Sequence, residues 1–443
     1  MRKLLTTLPR FRRAAAELPV LAERESWTRS AIETFQLERL NKVWEAARIH
    51  VPYYRALANQ HSLPSKFCSL DQFRHSVPRL SKASVREANP ALLTKSPGKG
   101  HWQRTSGSTG TPLKTYRDTE GHQESLRAKY RFHQVWGLGI ADPMAWLWSS
   151  DAVSSTGLRG QVQSAKQMGI DYLRNRLRLP ASRLRKTDLQ THLRRIQAFK
   201  PRGFYGYSRA THLLAREAST SRLNIDGLSV VILTGEAASD AIIETVSHAL
   251  NAPVAMEYGC VEFGYIAGTY PDGTLRVRED VVLLETSPRE DGRYDLLLTT
   301  LNNPSFPLLR YEVGDVTDQP LIMPESGFAI LPKVSGRDDD LILTRSGGVI
   351  DATTIDSIFE SEHFKTVRRY RIHQSVEGDL TVHIEPIDRN TLPERQAIRQ
   401  RIGGLIDGFD VDVRIVEQIA QTDAGKHRVV TSDYCRQENA AGV

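Results

Sequence analysis

The chain is poor in cysteine. Its 443 residues hold three, Cys68, Cys260 and Cys435, far apart and odd in number, which argues against a disulfide framework. No two cysteines stand in a CxxC spacing, so nothing points to a structural zinc site. No stretch approaches the roughly 18 consecutive apolar residues of a membrane span, and no integral membrane segment is expected. The first residues, "MRKLLTTLPRFRRAAAELP", are basic but carry no long apolar run, a poor match to a secretory signal peptide. A reducing cytoplasm is the expected location. Internal repeats and low-complexity tracts are missing, and so is a Walker A loop.

What is present is ordinary for a globular enzyme: 40% hydrophobic and 25% charged residues, enough for more than one core. Subtracting 52 acidic from 59 basic residues gives +7. That suits anionic substrates such as nucleotides or CoA without demanding nucleic acid, and no nucleic-acid partner is expected. Arginine is dense between positions 174 and 202. A solvated helix face is the favoured reading there, and a patch for a polyanion or a membrane surface the sharper one.

Apolar residues from about Ser26 to Ile49 recur at three- and four-residue steps and predict a helix, with "HVPYYRAL" ending the run at Pro52. "PMAWLWSS" predicts a short strand, "DLQTHLRRIQAFKP" an amphipathic helix stopped by Pro201, and "LSVVILTGEAAS" a buried strand ending in a polar turn. "AIIETVSHAL" predicts the next helix, and "PVAMEYGCVEFG" a strand then a turn. This alternation predicts an α/β fold with largely parallel sheet. After about Val281, "VLLETS", "RYDLLLTTL" and "PLLRYEVGDV" follow closely and predict antiparallel strands. The end of the chain reads β-β-α-β, with a helix from about Pro393 to Ile406. The expected architecture is a large N-terminal domain of mixed sheets and helices plus a small C-terminal α+β domain, divided at "SGRDDD".

"RTSGSTGTPLK" at 104–114 carries Ser106, Gly107, Ser108, Thr109 and Gly110. Glycines let backbone N–H groups converge on one point and hydroxyls add donors, as a phosphate cradle needs. Alone, such a stretch is more often a plain polar loop. Further polar turns follow apolar strands: Gly235 and Glu236 in "TGEAAS", Tyr258, Gly259 and Glu262 in "EYGCVEFG", Asp315 in "RYEVGDV", Arg337 and Asp339 in "SGRDDD", and Lys426 in "TDAGKHR". Ligands of open α/β sheets collect at such strand ends. Taken singly, each residue has a plain alternative. Tyr258 reads as a core aromatic, Asp315 and Asp339 as turn-formers, Arg337 as an ion-pair partner, and Glu262 and Lys426 as solvated charges.

Their order and spacing resemble the adenylate-forming enzymes, the superfamily of acyl-CoA synthetases, peptide-synthetase adenylation domains and luciferases. "HVPYYRAL", "RLSKASVRE" and "PLLRYEVGDV" resemble its phenylacetate-CoA ligase and CapK-type branch. The resemblance implies an AMP-forming acid–thiol ligase with ATP, Mg²⁺ and CoA. It implies residues 1–338 as the ATP- and acid-binding core and 339–443 as a mobile domain hinged near Asp339. Residue by residue, Ser106 to Gly110 would wrap the β- and γ-phosphates, and Thr109 and Glu262 would hold Mg²⁺. Tyr258 would stack on adenine, with Gly259 in the same turn and Gly235 and Glu236 lining the adenine side. Asp315 would take the ribose hydroxyls, Arg337 would contact ribose or phosphate, and Lys426 would enter for adenylation. The expected partners are a small carboxylic acid and CoA or another thiol or amine acceptor, and a homodimer is allowed. Acyl transfer to an amine or sugar, and a nucleotide-binding scaffold without catalysis, stay open beside the ligase. Lys114, displaced from the usual lysine position, Cys260 inside the YGxxE turn, and His133 with Trp136 are left without an assigned role.

Overall fold

The computed structural model describes residues 9–104, 113–148, 165, 168–181, 184–337, 342–345, 349–350, 352–359, 366–388, 392–406, 408–419 and 429–434. An N-terminal helical layer comes first: α1 (Pro9–Arg24), α2 (Arg29–His50), α3 (Pro52–Gln60), α4 (Leu70–Ser76) and α5 (Lys82–Glu87). In α2 the Thr28 hydroxyl accepts from the Ala31 amide, satisfying one orphan donor of the first turn. Ile32, Gln36, Leu40, Val43, Trp44 and Ala47 form its buried stripe. The expected end of the run at Pro52 is met, and the proline also opens the next helix. Helix α2 closes at His50, and Pro52 sits at the start of α3, where its missing N–H costs nothing and its fixed φ suits a first turn.

The hairpin β1 (Gly100–Arg104) and β2 (Lys114–Asp118) flanks the Ser/Thr/Gly stretch and leads into α6 (Thr119–Val135). Asp118 caps α6, its Oδ1 accepting from the Gly121 amide at 2.8 Å. A seven-stranded sheet follows in the order β4-β3-β5-β6-β7-β8-β9. It contains β3 (Met144–Trp148), β4 (Arg176–Pro180), β5 (Gly203–Tyr207), β6 (Val230–Thr234), β7 (Val254–Cys260), β8 (Gly264–Thr269) and β9 (Leu275–Val277). The first five are mutually parallel, and β8 and β9 run antiparallel. Helices α7 (Lys186–Phe199), α8 (Ser208–Ser221) and α9 (Asp240–Leu250) connect the parallel strands.

Strand β6 shows why the sheet lies inside. Val231 and Leu233 face a cluster with α7, α8 and α9, whereas Val230 and Ile232 face Ala128 and Phe132 of α6. Both faces are covered, so the strand reads as a continuous apolar run rather than an alternating one.

An antiparallel sheet then runs β10 (Val282–Pro288), β11 (Tyr294–Thr300), β12 (Tyr311–Thr317) and β13 (Val334–Arg337) in that order. Beyond it lie the short pair β14 (Ile342–Leu343) and β15 (Val349–Ile350), and α10 (Ala352–Phe359). The last sheet is ordered β18-β17-β16-β19, from β16 (Val367–Gln374), β17 (Leu380–Pro386), β18 (Val411–Ile415) and β19 (Val430–Ser432). Helix α11 (Arg395–Gly403) lies between β17 and β18 in the chain. This C-terminal part has a core of its own around Ile342, Ile372, Val382, Ile384, Ile398 and Ile402. Among the described residues, no helix is long and apolar enough to cross a membrane.

The Arg-rich stretch is in part the expected solvated helix face, with Arg194 and Arg195 exposed on α7, and departs from it on β4. Arg176 and Arg178 lie on β4, Arg178 pairs with Asp171 at 2.8 Å, and Arg176 packs over Trp146 with its Cζ 3.5 Å from the ring centre.

Truncating Leu233, fully buried in β6, removes its packing against the α7–α9 layer. Leu233→Ala is expected to cost about 2–5 kcal/mol in denaturant unfolding. Leu392→Ala, at a position 55% exposed, is expected to change stability by no more than about 0.5 kcal/mol.

Candidate active site

The polar turns gather where β6 and β7 end and where β12 passes alongside. Gly235 follows β6 with φ +78°, a conformation an L side chain would strain. Glu236 then turns back onto the start of α8. Its Oε2 accepts from the Arg209 amide at 3.1 Å, and its carbonyl accepts from the Ser208 hydroxyl at 2.9 Å. The carboxylate thus sits at the positive end of a helix dipole, where a negative charge is favoured.

Strand β7 runs on through Tyr258, Gly259 and Cys260, and its register with β8 shifts between Tyr258 and Gly259. A Cβ at Gly259 would stand 2.4 Å from the Gly264 carbonyl oxygen, so the tight turn requires glycine there. The Tyr258 hydroxyl donates to Asp315 Oδ2 at 2.7 Å. In turn the Tyr311 hydroxyl donates to Glu262 Oε1 at 3.0 Å, while its ring stacks on Phe263. Gly314, between Tyr311 and Asp315, has φ +80°, so "RYEVGDV" is a strand with a local distortion rather than a terminal turn. Asp315 pairs across the ladder with Arg337 of β13, which brings the two backbones side by side. The structure therefore brings Tyr258, Gly259, Glu262 and Asp315 into one cluster with the Arg337 backbone beside it. Ser106, Gly107, Ser108, Thr109, Gly110, Asp339, Lys426 and the Arg337 side chain lie outside the described residues. Lys114 opens β2 opposite Arg104, exposed at the base of the Ser/Thr/Gly stretch.

The surroundings of half-buried Cys260 disfavour its thiolate. Burial pushes its thiol well above the usual range, and the negative charges of Glu262 and Asp315 add to the effect. A thiol so raised stays protonated at neutral pH and reacts slowly.

Several residues carried no local signal in the sequence. Arg117 on β2 is 4% exposed and packs against Gly264, where an added Cβ would lie 2.7 Å from its Nη1. Burial pulls its pKa down to about 10, against the opposing effect of Cys260 and Asp118, which leaves it charged at neutral pH. Below Tyr258, the neighbouring Glu257 points to the α6 side of the sheet. Lys129 Nζ donates to its Oε1 at 3.0 Å, and the Tyr205 hydroxyl donates to the same oxygen at 2.7 Å. Lys129 also lies 3.8 Å from the Tyr205 ring centre, a close cation–π contact. This pair lies in an aromatic layer in which Trp146 and Tyr205 stand 4.5 Å apart and Trp148 stacks on Tyr207 at 4.2 Å. His133 belongs to the same layer, its pKa lowered by burial and then by Lys129 and Arg176. Trp136 is held by its indole N–H, which donates to the Thr269 carbonyl at 2.9 Å.

The cluster can hold a planar ring beside a carboxylate and can offer carboxylate oxygens to hydroxyls or to a cation. No family model matches the chain. It is similar to Protein CapK of Staphylococcus aureus, at 19% identity over 404 residues, covering 89% of this chain and 87% of that one. It is also similar to the phenylacetate-coenzyme A ligase of Thermus thermophilus, at 24% identity over 391 residues and 81% of each chain. Among solved structures it shares the fold of a 2-hydroxyisobutyryl-CoA ligase, at 20% identity over 93% of this chain and 92% of that one. The TM-score is 0.70 against that ligase in its postadenylation state, 0.60 in its thioester-forming state and 0.58 in an open conformation.

The state of Cys260 is open to a direct check. Alkylation with iodoacetamide near pH 7.5, read peptide by peptide in a mass spectrometer, is expected to modify exposed Cys68 and to spare Cys260. Equal labelling of the two would contradict the raised pKa of the half-buried Cys260 thiol.

Proposed function

We propose that this chain, placed in the adenylate-forming superfamily by its motif order, its relatives and its fold, activates a carboxylic acid with ATP and passes the acyl group to CoA. The carboxylate oxygen attacks the α-phosphorus and pyrophosphate leaves. The thiol sulfur then attacks the acyl carbon of the mixed anhydride, and AMP leaves. The observation that carries the reading is the 2.7 Å bond between Tyr258 and Asp315. It brings together two motifs 57 positions apart and so supports one place for an adenosine, with the ring against Tyr258, the ribose hydroxyls at Asp315 and Glu236 on the base side.

The remaining roles are proposed on the same footing. Ser106 to Gly110 wrap the outgoing phosphates, Arg337 approaches ribose or phosphate, and Lys426 stabilises charge on the phosphoryl oxygens. Among the described residues, no group of three His, Cys, Asp or Glu side chains forms a metal cage. Magnesium in nucleotide sites takes one or two protein oxygens and otherwise phosphates and water. Glu262, an oxygen donor fixed at its turn by Tyr311, fits that demand together with Thr109. When bound, the ion would neutralise phosphate charge. The relative CapK supports a second reading, transfer of the acyl group to an amine or sugar, with the same first half-reaction. A cytoplasmic location, a homodimer and the absence of a nucleic-acid partner belong to the proposal as well.

ATP–pyrophosphate exchange over a panel of carboxylic acids tests it. At least one acid is expected to drive exchange, and CoA is expected to yield a thioester with AMP. Product formed on an amine or sugar with CoA omitted would favour the second reading. Asp315→Asn removes one charged hydrogen-bonding group, a loss of about 1.5–3 kcal/mol, so the KM for ATP is expected to rise roughly tenfold to a hundredfold. Lys426→Ala is expected to abolish exchange. Undiminished acid-dependent exchange in that variant would remove Lys426 from the chemistry.

A further inference from the structure

Helix α8 is held at both ends of a chain of contacts. Its Arg209 amide donates to Glu236 at the nucleotide-side turn. The Arg209 guanidinium reaches the other way, into the C-terminal part, where Nη1 and Nη2 donate to Asp356 Oδ1 and Oδ2 at 2.6 and 3.0 Å. Asp356, on α10, is 1% exposed. Its Oδ1 also accepts from the Tyr370 hydroxyl of β16, and the Tyr370 ring stacks on Phe359 with centres 3.8 Å apart. Two turns along α8, Arg216 donates to the Val367 carbonyl at 3.2 Å. Apolar side chains, among them Leu213, Ile242 and Phe359, line this seam beside the polar ones. A cavity of about 40 Å³ remains in it, bordered by His212, Arg216, Arg369 and Tyr370.

A forked arginine–carboxylate pair is selective for geometry, since both bonds form only at one mutual placement. Buried, it selects that placement by geometry more than by net energy, because parting the two domains returns both charges to water, whereas removing one partner leaves the other charge uncompensated in the seam. Apolar surfaces tolerate sliding, and this pair does not. The fold superposes better on the postadenylation state of the 2-hydroxyisobutyryl-CoA ligase than on its thioester-forming or open states, over the same share of the chain. The Arg209–Asp356 bond is thus seen in an arrangement nearer that postadenylation state than the other two.

We infer that Arg209 and Asp356 are a positioning pair that holds the C-terminal part in the adenylate-forming arrangement and must separate before acyl transfer. The inference rests on the ligase reading. Glu236 gives the pair a link to the substrate. The carboxylate that lines the adenine side also anchors the amide of Arg209, so nucleotide occupancy and domain placement act on the same helix end.

Asp356→Asn tests this with the two half-reactions measured apart. Exchange of pyrophosphate reports adenylation, and a single turnover from supplied acyl adenylate and CoA reports transfer. A spin-label pair, one on the large part and one on the C-terminal part, reports the distance between them. The variant is expected to slow exchange about tenfold, to transfer from supplied adenylate at least as fast as wild type, and to broaden the label distances. Tyr370→Phe, which keeps the ring and the ion pair, is expected to lie between, and it serves if Asp356→Asn does not fold. Equal losses in both half-reactions with unchanged distances would overturn the pair as a positioning device, and so would no change in either. If the wild type exchanges pyrophosphate with no acid, the ligase reading fails, and the label distances alone decide whether the pair holds the two parts together.

Discussion

The bond from Tyr258 to Asp315 joins strand β7 of one sheet to strand β12 of another. With its companion from Tyr311 to Glu262, it ties the two sheets together at the site. Each bond depends on a glycine. Gly259 lets β7 and β8 close without a Cβ striking the Gly264 carbonyl, and Gly314 lets β12 distort at a positive φ just before Asp315. A hydroxyl–carboxylate bond contributes little more than about 1–3 kcal/mol, so it does not hold the fold together. Its effect is geometric: it decides where an aromatic ring and two carboxylates stand relative to one another.

Beneath that joint the polar residues are sorted by strand alternation. Glu257 and Tyr258 are neighbours in β7, yet one faces the α6 layer and the other the site. Glu257 is neutralised by Lys129 and further bonded by Tyr205, which answers the cost of burying a charge. Asp356 and Arg209 solve the same problem at the seam with the C-terminal part. In both places burial turns a pair of charges into a constraint on placement, and removing one partner costs more than the pair contributes.

Much of the fold was legible in the sequence because its signals are local. The apolar run of β6, the spacing along α2 and the Gly-bearing turns after β6 and β7 all declare themselves within a dozen residues. The motif order also indicated that Tyr258 and Asp315 belong together, although 57 positions separate them. What stayed hidden is contact between residues with no local pattern. Lys129 and Glu257 are 128 positions apart, and Arg209 and Asp356 are 147 apart. Each reads as an ordinary surface charge until the fold buries it. Pro52 marked the end of α2, but a proline that ends one helix and one that begins the next look alike from their neighbours, so the start of α3 did not show. Arg176 and Arg178 misled because a run of arginines in sequence does not say which of them lie on a strand against Trp146 and Asp171.

The central claim is that a carboxylate oxygen is joined to the α-phosphorus at this site, and an oxygen label follows that bond directly. An acid that supports exchange would be supplied with ¹⁸O in its carboxyl group, together with ATP and CoA, and the phosphate-bearing products would be examined by mass spectrometry. The account predicts one ¹⁸O atom in AMP, because the oxygen that attacked phosphorus stays with it when the thiol breaks the acyl–oxygen bond. Label in orthophosphate with ADP as the other product, or no label in any phosphate, would contradict it.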